Sequence, residues 1–157
     1  MIDFGQSFLS DEYPGVLSTP LPIRAPEIIF KDEVDYRVDL WSMACLLFEL
    51  IVGQPLFDSF MTTPAMLVRQ MLETVNDDLP DRWKRDWHAM QGTLSSDNRD
   101  TCSLQDWLEE MYFDGERRED MSRQDIVRVG LLIASILRME PSARAPAKAV
   151  LQDAWFK

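Results

Sequence analysis

The sequence predicts a mainly α-helical fold organised around one buried central helix. In the run VDLWSMACLLFELIV at 38–52, only Ser42 and Glu49 are not apolar after Asp39. A surface helix keeps a polar face, so apolar residues nearly all round indicate burial. The run is too short to span a bilayer, and Gly53 marks its end. Further helical stripes follow, and these helices are expected to pack against the central one.

Length and composition fit a single globular domain. The chain has 157 residues, of which 46% are hydrophobic and 27% charged, so a packed core is feasible. Two cysteines, Cys45 in the apolar run and Cys102, are too few for a disulfide framework and favour a reducing compartment. No targeting segment or membrane span is visible, so we expect a cytoplasmic or nuclear protein without a membrane partner.

The charge balance restricts the partners. A net charge of −11 argues against nucleic acid, whose phosphates would be repelled. It permits a basic protein substrate, although solubility alone also explains an acidic surface.

The first thirty residues are predicted to be mostly loop. An Asp-Phe-Gly triplet at 3–5 follows an apolar residue, which suggests the end of a short strand and then a turn. Prolines are spaced through 6–23 so that no helix is expected there. Pro26 is well placed in the first turn of a short helix.

Beyond the central helix, the Thr63–Pro64 pair predicts the start of another helix. The pattern from 74 to 121 is less regular, with helical pieces at 81–90 and 104–112. Ser122 and Asp125 then form a capping-box pattern ahead of a last long helix. The predicted buried side of that helix consists of Ile126, Val127, Leu131, Ile133, Ile136 and Leu137.

Several motifs in register resemble eukaryotic protein kinases. Asp-Phe-Gly at 3–5, Ala-Pro-Glu at 25–27 and Asp-Leu-Trp-Ser at 39–42 have the order and spacing of that family. A Gly-x-Pro-Leu-Phe turn at 53–57 and a closing pattern from Pro141 to Phe156 agree with it. An unrelated helical protein with chance motifs is the remote alternative.

The resemblance covers Ile2 to Phe156 and begins at the magnesium-binding motif. It implies the C-terminal lobe of a kinase domain over 1–157, with the activation segment at 1–30. A helical subdomain would follow at 31–157, with an insert at about 74–121. The insert resembles the kinase branch that includes the cyclin-dependent, MAP and SR-protein kinases. Within that branch, Gln6-Ser7-Phe8 and the Leu79–Trp83 cluster look most like fungal relatives of SR-protein kinases.

The resemblance implies a serine/threonine protein kinase, which transfers the γ-phosphate of ATP to protein hydroxyls with Mg²⁺ as cofactor. Carboxylate oxygen suits a hard cation, so Asp3 would be the metal ligand. Phe4 and Gly5 would complete the nucleotide-side motif, and Thr19 would line the substrate pocket. Structural roles are implied for Glu27, Asp39, Trp41 and Arg144, and the candidate phosphorylation sites are Ser7, Ser10 and Tyr13.

Other kinase motifs do not occur in these 157 residues. The only histidine, His88, precedes Ala89 rather than Arg-Asp, and no Gly-rich loop or strand lysine is found. The catalytic loop is therefore missing, and we expect a truncated domain that is inactive alone. The alternative is a pseudokinase-like helical binding module. The face that would meet the missing lobe is expected to expose apolar side chains, which a partner would cover.

Overall fold

The computed structural model describes residues 7–9, 12, 15, 17–57, 61–75, 77–92, 103–114 and 120–156. Within these ranges the regular structure is helical and no strand is found, as the sequence predicts. The α-helices are α1 (Pro26–Ile29), α2 (Arg37–Val52), α3 (Pro64–Val75), α4 (Asp81–Gln91), α5 (Leu104–Tyr112), α6 (Arg123–Ile136) and α7 (Ala147–Leu151). Short 3₁₀ turns occur at Leu21–Ile23, Pro141–Ala143 and Ala154–Phe156.

Helix α2 is the central element, and α5 and α6 pack against it. Trp41 and Phe48 on this helix are fully buried, and Trp41 stacks on Phe57 with ring centroids 6.0 Å apart. The helix ends where the sequence predicts, because Gly53 adopts the left-handed conformation with φ of 78°. Its N–H donates to the Glu49 carbonyl at 2.6 Å.

One side of α2 is nevertheless open to solvent. Met43, Leu46 and Leu50 are exposed, and Leu50 retains 72% of its accessible surface. These residues recur at helical spacing and form a stripe. The apolar composition of the run therefore reflects a buried side and an uncovered side together, so the predicted burial nearly all round is wrong for these three residues.

The prediction for the buried side of α6 was partly wrong. Val127 and Leu131 are exposed, and Leu131 retains 66% of its surface. The helix is rotated so that Gly130 faces α5, where an added Cβ would lie 1.9 Å from Gln105 Oε1. The buried residues are Ile126, Val129, Gly130, Leu132, Ile133 and Ile136.

The predicted helix starts are confirmed by their caps. Thr63 Oγ1 accepts a hydrogen bond from the Met66 amide at 3.2 Å at the start of α3. Ser122 and Asp125 form the full capping box of α6, with both reciprocal hydrogen bonds present. These caps fix the helix starts locally, independently of tertiary packing.

Cys45 is a packed thiol, as predicted. It is buried within α2, and burial raises the pKa of the thiol to about 12. In the described ranges no helix is both long enough and apolar enough to cross a membrane.

Candidate peptide-binding site

The stretch ahead of α1 is fastened to the start of α2. The Arg24 guanidinium donates to the Thr19 carbonyl through Nε and Nη2, at 3.0 and 2.5 Å. Ser42 Oγ donates to the Ile23 carbonyl at 2.9 Å, and so ties the 3₁₀ turn to α2. The backbone around Thr19 is thereby held in place beside the helix.

A pocket of about 550 Å³ lies between this stretch and the start of α2. Leu17, Ile23 and Val38 supply apolar wall, and Thr19 also lies in the lining. The role of Thr19 in a substrate pocket stays a prediction. The pocket is open to solvent rather than enclosed. Its lining residues are Ser7, Phe8, Leu17, Ser18, Thr19, Ile23, Asp35, Tyr36, Val38, Asp39 and Ser42.

Two carboxylates give this pocket a negative character. Asp35 is ion-paired with Arg37, which partly neutralises its charge. Asp39 is exposed, and no side-chain hydrogen bond or ion pair to Asp39 is found in the part of the chain that the structure describes. An apolar wall with a free carboxylate would favour the aliphatic stem and cationic head of a lysine or arginine.

Glu27 and Arg144 form the bidentate pair that the motifs imply. The Arg144 Nη1 and Nη2 atoms each lie 2.6 Å from a carboxylate oxygen of Glu27, and the two side chains are 1% exposed for Glu27 and 0% for Arg144. Arg144 also donates to the backbone carbonyl of Arg37 at 2.8 Å and to that of Arg138 at 3.0 Å. All these partners of the guanidinium lie outside the pocket, so its role is structural.

Trp41 belongs to the same buried cluster. Its ring lies beneath the Arg144 guanidinium, with the central carbon 5.1 Å from the ring centroid. Its Nε1 atom is buried and has no hydrogen-bond partner among the described residues. Trp41 therefore contributes packing and a cation–π contact, as expected of a structural residue.

A second polar cluster, which we call the outer bridge, consists of Asp32, Arg82 and Glu140. Arg82 Nε donates to Asp32 Oδ2 at 2.5 Å, and Arg82 Nη2 donates to Glu140 Oε1 at 3.2 Å. Trp83 Nε1 also donates to Asp32 Oδ2, at 2.7 Å. The sequence singled out the Leu79–Trp83 cluster only as a sign of subfamily, and it offered no signal for either carboxylate partner.

The charges of the outer bridge are mutually stabilised. Partial burial alone would raise the pKa of Asp32, but the hydrogen bond from Arg82 and other donors leave this pKa below its usual value. The hydrogen bond from Arg82 is the main reason that the pKa of Glu140 is also lowered. In return, hydrogen bonds to both carboxylates raise the pKa of Arg82.

Most of the remaining predicted site residues lie outside the part of the chain that the structure describes. Asp3, Phe4, Gly5, Ser10 and Tyr13 lie outside the described residues. Ser7 is exposed at the pocket, so its candidacy as a phosphorylation site stays a prediction. Among the described residues, no group of three or more His, Cys, Asp or Glu side chains is placed to hold a metal ion.

Comparison with known families decides the identity. The family model described as "Protein kinase domain" matches residues 1–156. The chain belongs to the protein kinase family. The fold of this kinase chain agrees with that assignment, since the long-range Glu27–Arg144 pair joins two of the family's motifs.

Curated relatives of this kinase chain carry kinase names. It is 28% identical over 163 residues to the probable dual specificity protein kinase madd-3 of Caenorhabditis elegans, covering 99% of the chain and 17% of the relative. It is 25% identical over 173 residues to the serine/threonine-protein kinase AFC3 of Arabidopsis thaliana, covering 100% of the chain and 40% of the relative.

A shorter match is stronger locally. The dual specificity protein kinase lkh1 of Schizosaccharomyces pombe is 42% identical over 59 residues, covering 38% of the chain and 9% of the relative. The matched chain thus spans at most 40% of the length of these relatives. Kinship with fungal SR-protein kinases stays a prediction.

Proposed function

We propose that this chain is the peptide-binding part of a serine/threonine protein kinase domain, whose reaction transfers the γ-phosphate of ATP to protein hydroxyls. The observation that carries the proposal is the open pocket around Thr19 and Asp39, held beside α2 by Arg24 and Ser42. The buried Glu27–Arg144 pair fixes the next few residues of the same segment.

The substrate is proposed to be a basic protein. Asp39 and Asp35 line the pocket, and the chain as a whole carries a net charge of −11. Long-range attraction and a local carboxylate then act in the same direction. The same acidic balance opposes binding to nucleic acid. We propose a cytoplasmic or nuclear location, in keeping with the sparse cysteines.

ATP and Mg²⁺ are the cofactors that the family implies, and magnesium supplies neutralisation of phosphate charge when it is bound. The described residues do not form a metal site by themselves, and the predicted ligand Asp3 lies outside them.

We propose that the chain alone does not transfer phosphate. These 157 residues contain no His-Arg-Asp, and His88 lies exposed on α4. Positioning and charge stabilisation supply nearly all of kinase catalysis, so loss of the catalytic aspartate removes it. The test is radiolabelled phosphate transfer from MgATP to basic serine peptides. We expect none, and transfer that Asp3→Ala abolishes would refute the proposal.

The second candidate is a non-catalytic helical binding module. The exposed stripe of Met43, Leu46 and Leu50 favours it, because an apolar face of this kind suits a partner. Asp39 and Glu49 border a groove along that stripe, so the proposed partner is a segment with an apolar face and flanking basic residues.

Sedimentation of the purified chain tests this second candidate. We expect self-association or poor monodispersity, together with binding of a hydrophobic dye at the stripe. Leu46→Gln and Leu50→Gln together should reduce both signals. A monomeric chain that binds no dye would argue against any partner at this face.

A further inference from the structure

Arg82 connects two parts of the chain that are far apart in sequence. Its side chain lies between Asp32, shortly after α1, and Glu140, which opens the turn leading to Arg144. Glu27 and Arg144 join the same two regions inside the core. The outer bridge therefore joins these two regions at the surface, whereas the Glu27–Arg144 pair joins them in the core.

Trp83 stabilises the outer bridge at its Asp32 end. Its ring stacks on Phe30 with centroids 4.8 Å apart and an interplanar angle of 11°. The Arg82 guanidinium lies over the Trp83 ring, with its central carbon 4.7 Å from the ring centroid. The Asp32 carboxylate also accepts the Glu33 amide at 2.8 Å, so it is held on several sides.

The outer bridge holds a span of the chain, residues 28–36, that ends at the pocket. Arg144 holds Glu27 and the Arg37 carbonyl, which flank the span 28–36 at its two ends. Within 33–36 the hydrogen bonds found in the described structure are local ones. Asp32 is thus the point at which hydrogen bonds join the middle of this span to a distant part of the chain, beside the stacking of Phe30 on Trp83.

We propose that Arg82 is a positioning residue for the substrate peptide. By bonding Asp32 to Glu140 it fixes the span 28–36, and thereby the Asp35–Tyr36 side of the pocket. The identity of the pocket's ligand as a peptide rests on the proposed function. The ordering of the span by Arg82 stands on the contacts themselves.

The chemistry of the site requires arginine. A planar guanidinium presents separate donors to two carboxylates and can stack on an indole at the same time. A lysine ammonium at this position would reach one carboxylate and lose the stacking. Arg82→Lys is therefore expected to behave like Arg82→Gln rather than like the parent chain.

Hydrogen exchange followed by mass spectrometry tests the ordering. In Arg82→Gln, amides of the span 28–36 should exchange about five- to tenfold faster, as expected for loss of charge-assisted hydrogen bonds at a half-exposed site. Amides of α6 should keep the parent rate. The matched control is Arg85→Gln on the same helix, because Arg85 is exposed and its ion pair is with the adjacent Asp86. Unchanged exchange in 28–36, or equal acceleration in α6, would overturn the proposal.

Binding of a fluorescent arginine-rich serine peptide, measured by anisotropy, tests the consequence for the pocket. Arg82→Gln and Arg82→Lys should weaken binding by about three- to fivefold, whereas Arg85→Gln should bind like the parent. Faster exchange with unchanged affinity would overturn the positioning role. No binding by the parent chain would overturn the proposed function and the peptide role together, while the exchange result would still decide whether Arg82 orders the span.

Discussion

The buried Glu27–Arg144 pair and the outer bridge join the same two regions of the chain in different surroundings. The inner pair is fully enclosed, and each of the two terminal guanidinium nitrogens bonds one carboxylate oxygen. The outer bridge has Arg82 at its centre with 46% of its side chain exposed. Similar ionic groups therefore form one pair that is shielded from water and one bridge that is exposed to it.

The difference predicts that exposure, more than geometry, decides what an ion pair contributes to stability. Charges without water cannot be left unpaired, so breaking the inner pair is expected to be severe. Charges that keep water lose less when their partner is removed. The outer bridge is therefore suited to ordering a local span, and the inner pair is suited to holding the fold.

The largest expected effect comes from the inner pair. Glu27→Gln should lower the free energy of unfolding by roughly 3–5 kcal/mol, because it leaves the Arg144 charge buried without compensation. Arg144→Lys should also destabilise, since an ammonium cannot reproduce the fork. The measurement is a double-mutant cycle by urea unfolding. A coupling energy near zero would show that burial does not make this pair contribute more to stability than an exposed pair.

An intermediate effect is expected at Asp77, whose side chain is 16% exposed. Asp77 accepts hydrogen bonds from Arg138 Nε and Nη2, both at 3.0 Å, and from the Met139 amide at 2.9 Å. Asp77→Asn should lower the free energy of urea unfolding by about 1–2 kcal/mol, because the neutral amide replaces the carboxylate that accepts these hydrogen bonds. The neighbouring Asp78→Asn is the control, and an equal loss there would contradict the ranking by exposure.

The pH dependence of stability separates the outer bridge from the rest. The folded state lowers the pKa of Asp32 and Glu140 below their ordinary values of 3.8 and 4.5. Their contribution is therefore present above about pH 4.5 and is lost as the pH falls through the lowered values. Urea midpoints between pH 7 and pH 3 should fall less steeply in Arg82→Gln than in the parent. Parallel curves would show that Arg82 does not lower these pKa values.

The smallest effect is expected on the exposed side of α4. Lys84 and Asp81 are ion-paired at 2.5 Å, but the Asp81 side chain is 93% exposed. The hydrogen bond from Lys84 lowers the pKa of Asp81, yet water screens the pair. Lys84→Gln should leave the urea midpoint unchanged within error. A measurable loss would mean that distance rather than exposure ranks these ion pairs.

The sequence by itself determined the features that depend on local pattern. The central helix follows from its apolar run, its end follows from Gly53, and the start of α6 follows from Ser122 and Asp125. These features involve residues within a few positions of one another. The long-range Glu27–Arg144 pair was predictable only because both residues fall in family motifs.

Only the tertiary structure decided which surfaces meet. Val127 and Leu131 have the same apolar character as their buried neighbours, and the rotation of α6 around Gly130 is what leaves them exposed. The partners of Arg82 lie 50 and 58 positions away and follow no local spacing. Helix caps and turns use short-range geometry, which a sequence displays. Helix rotation and bridges between distant segments depend on how the whole core packs, which a sequence does not display.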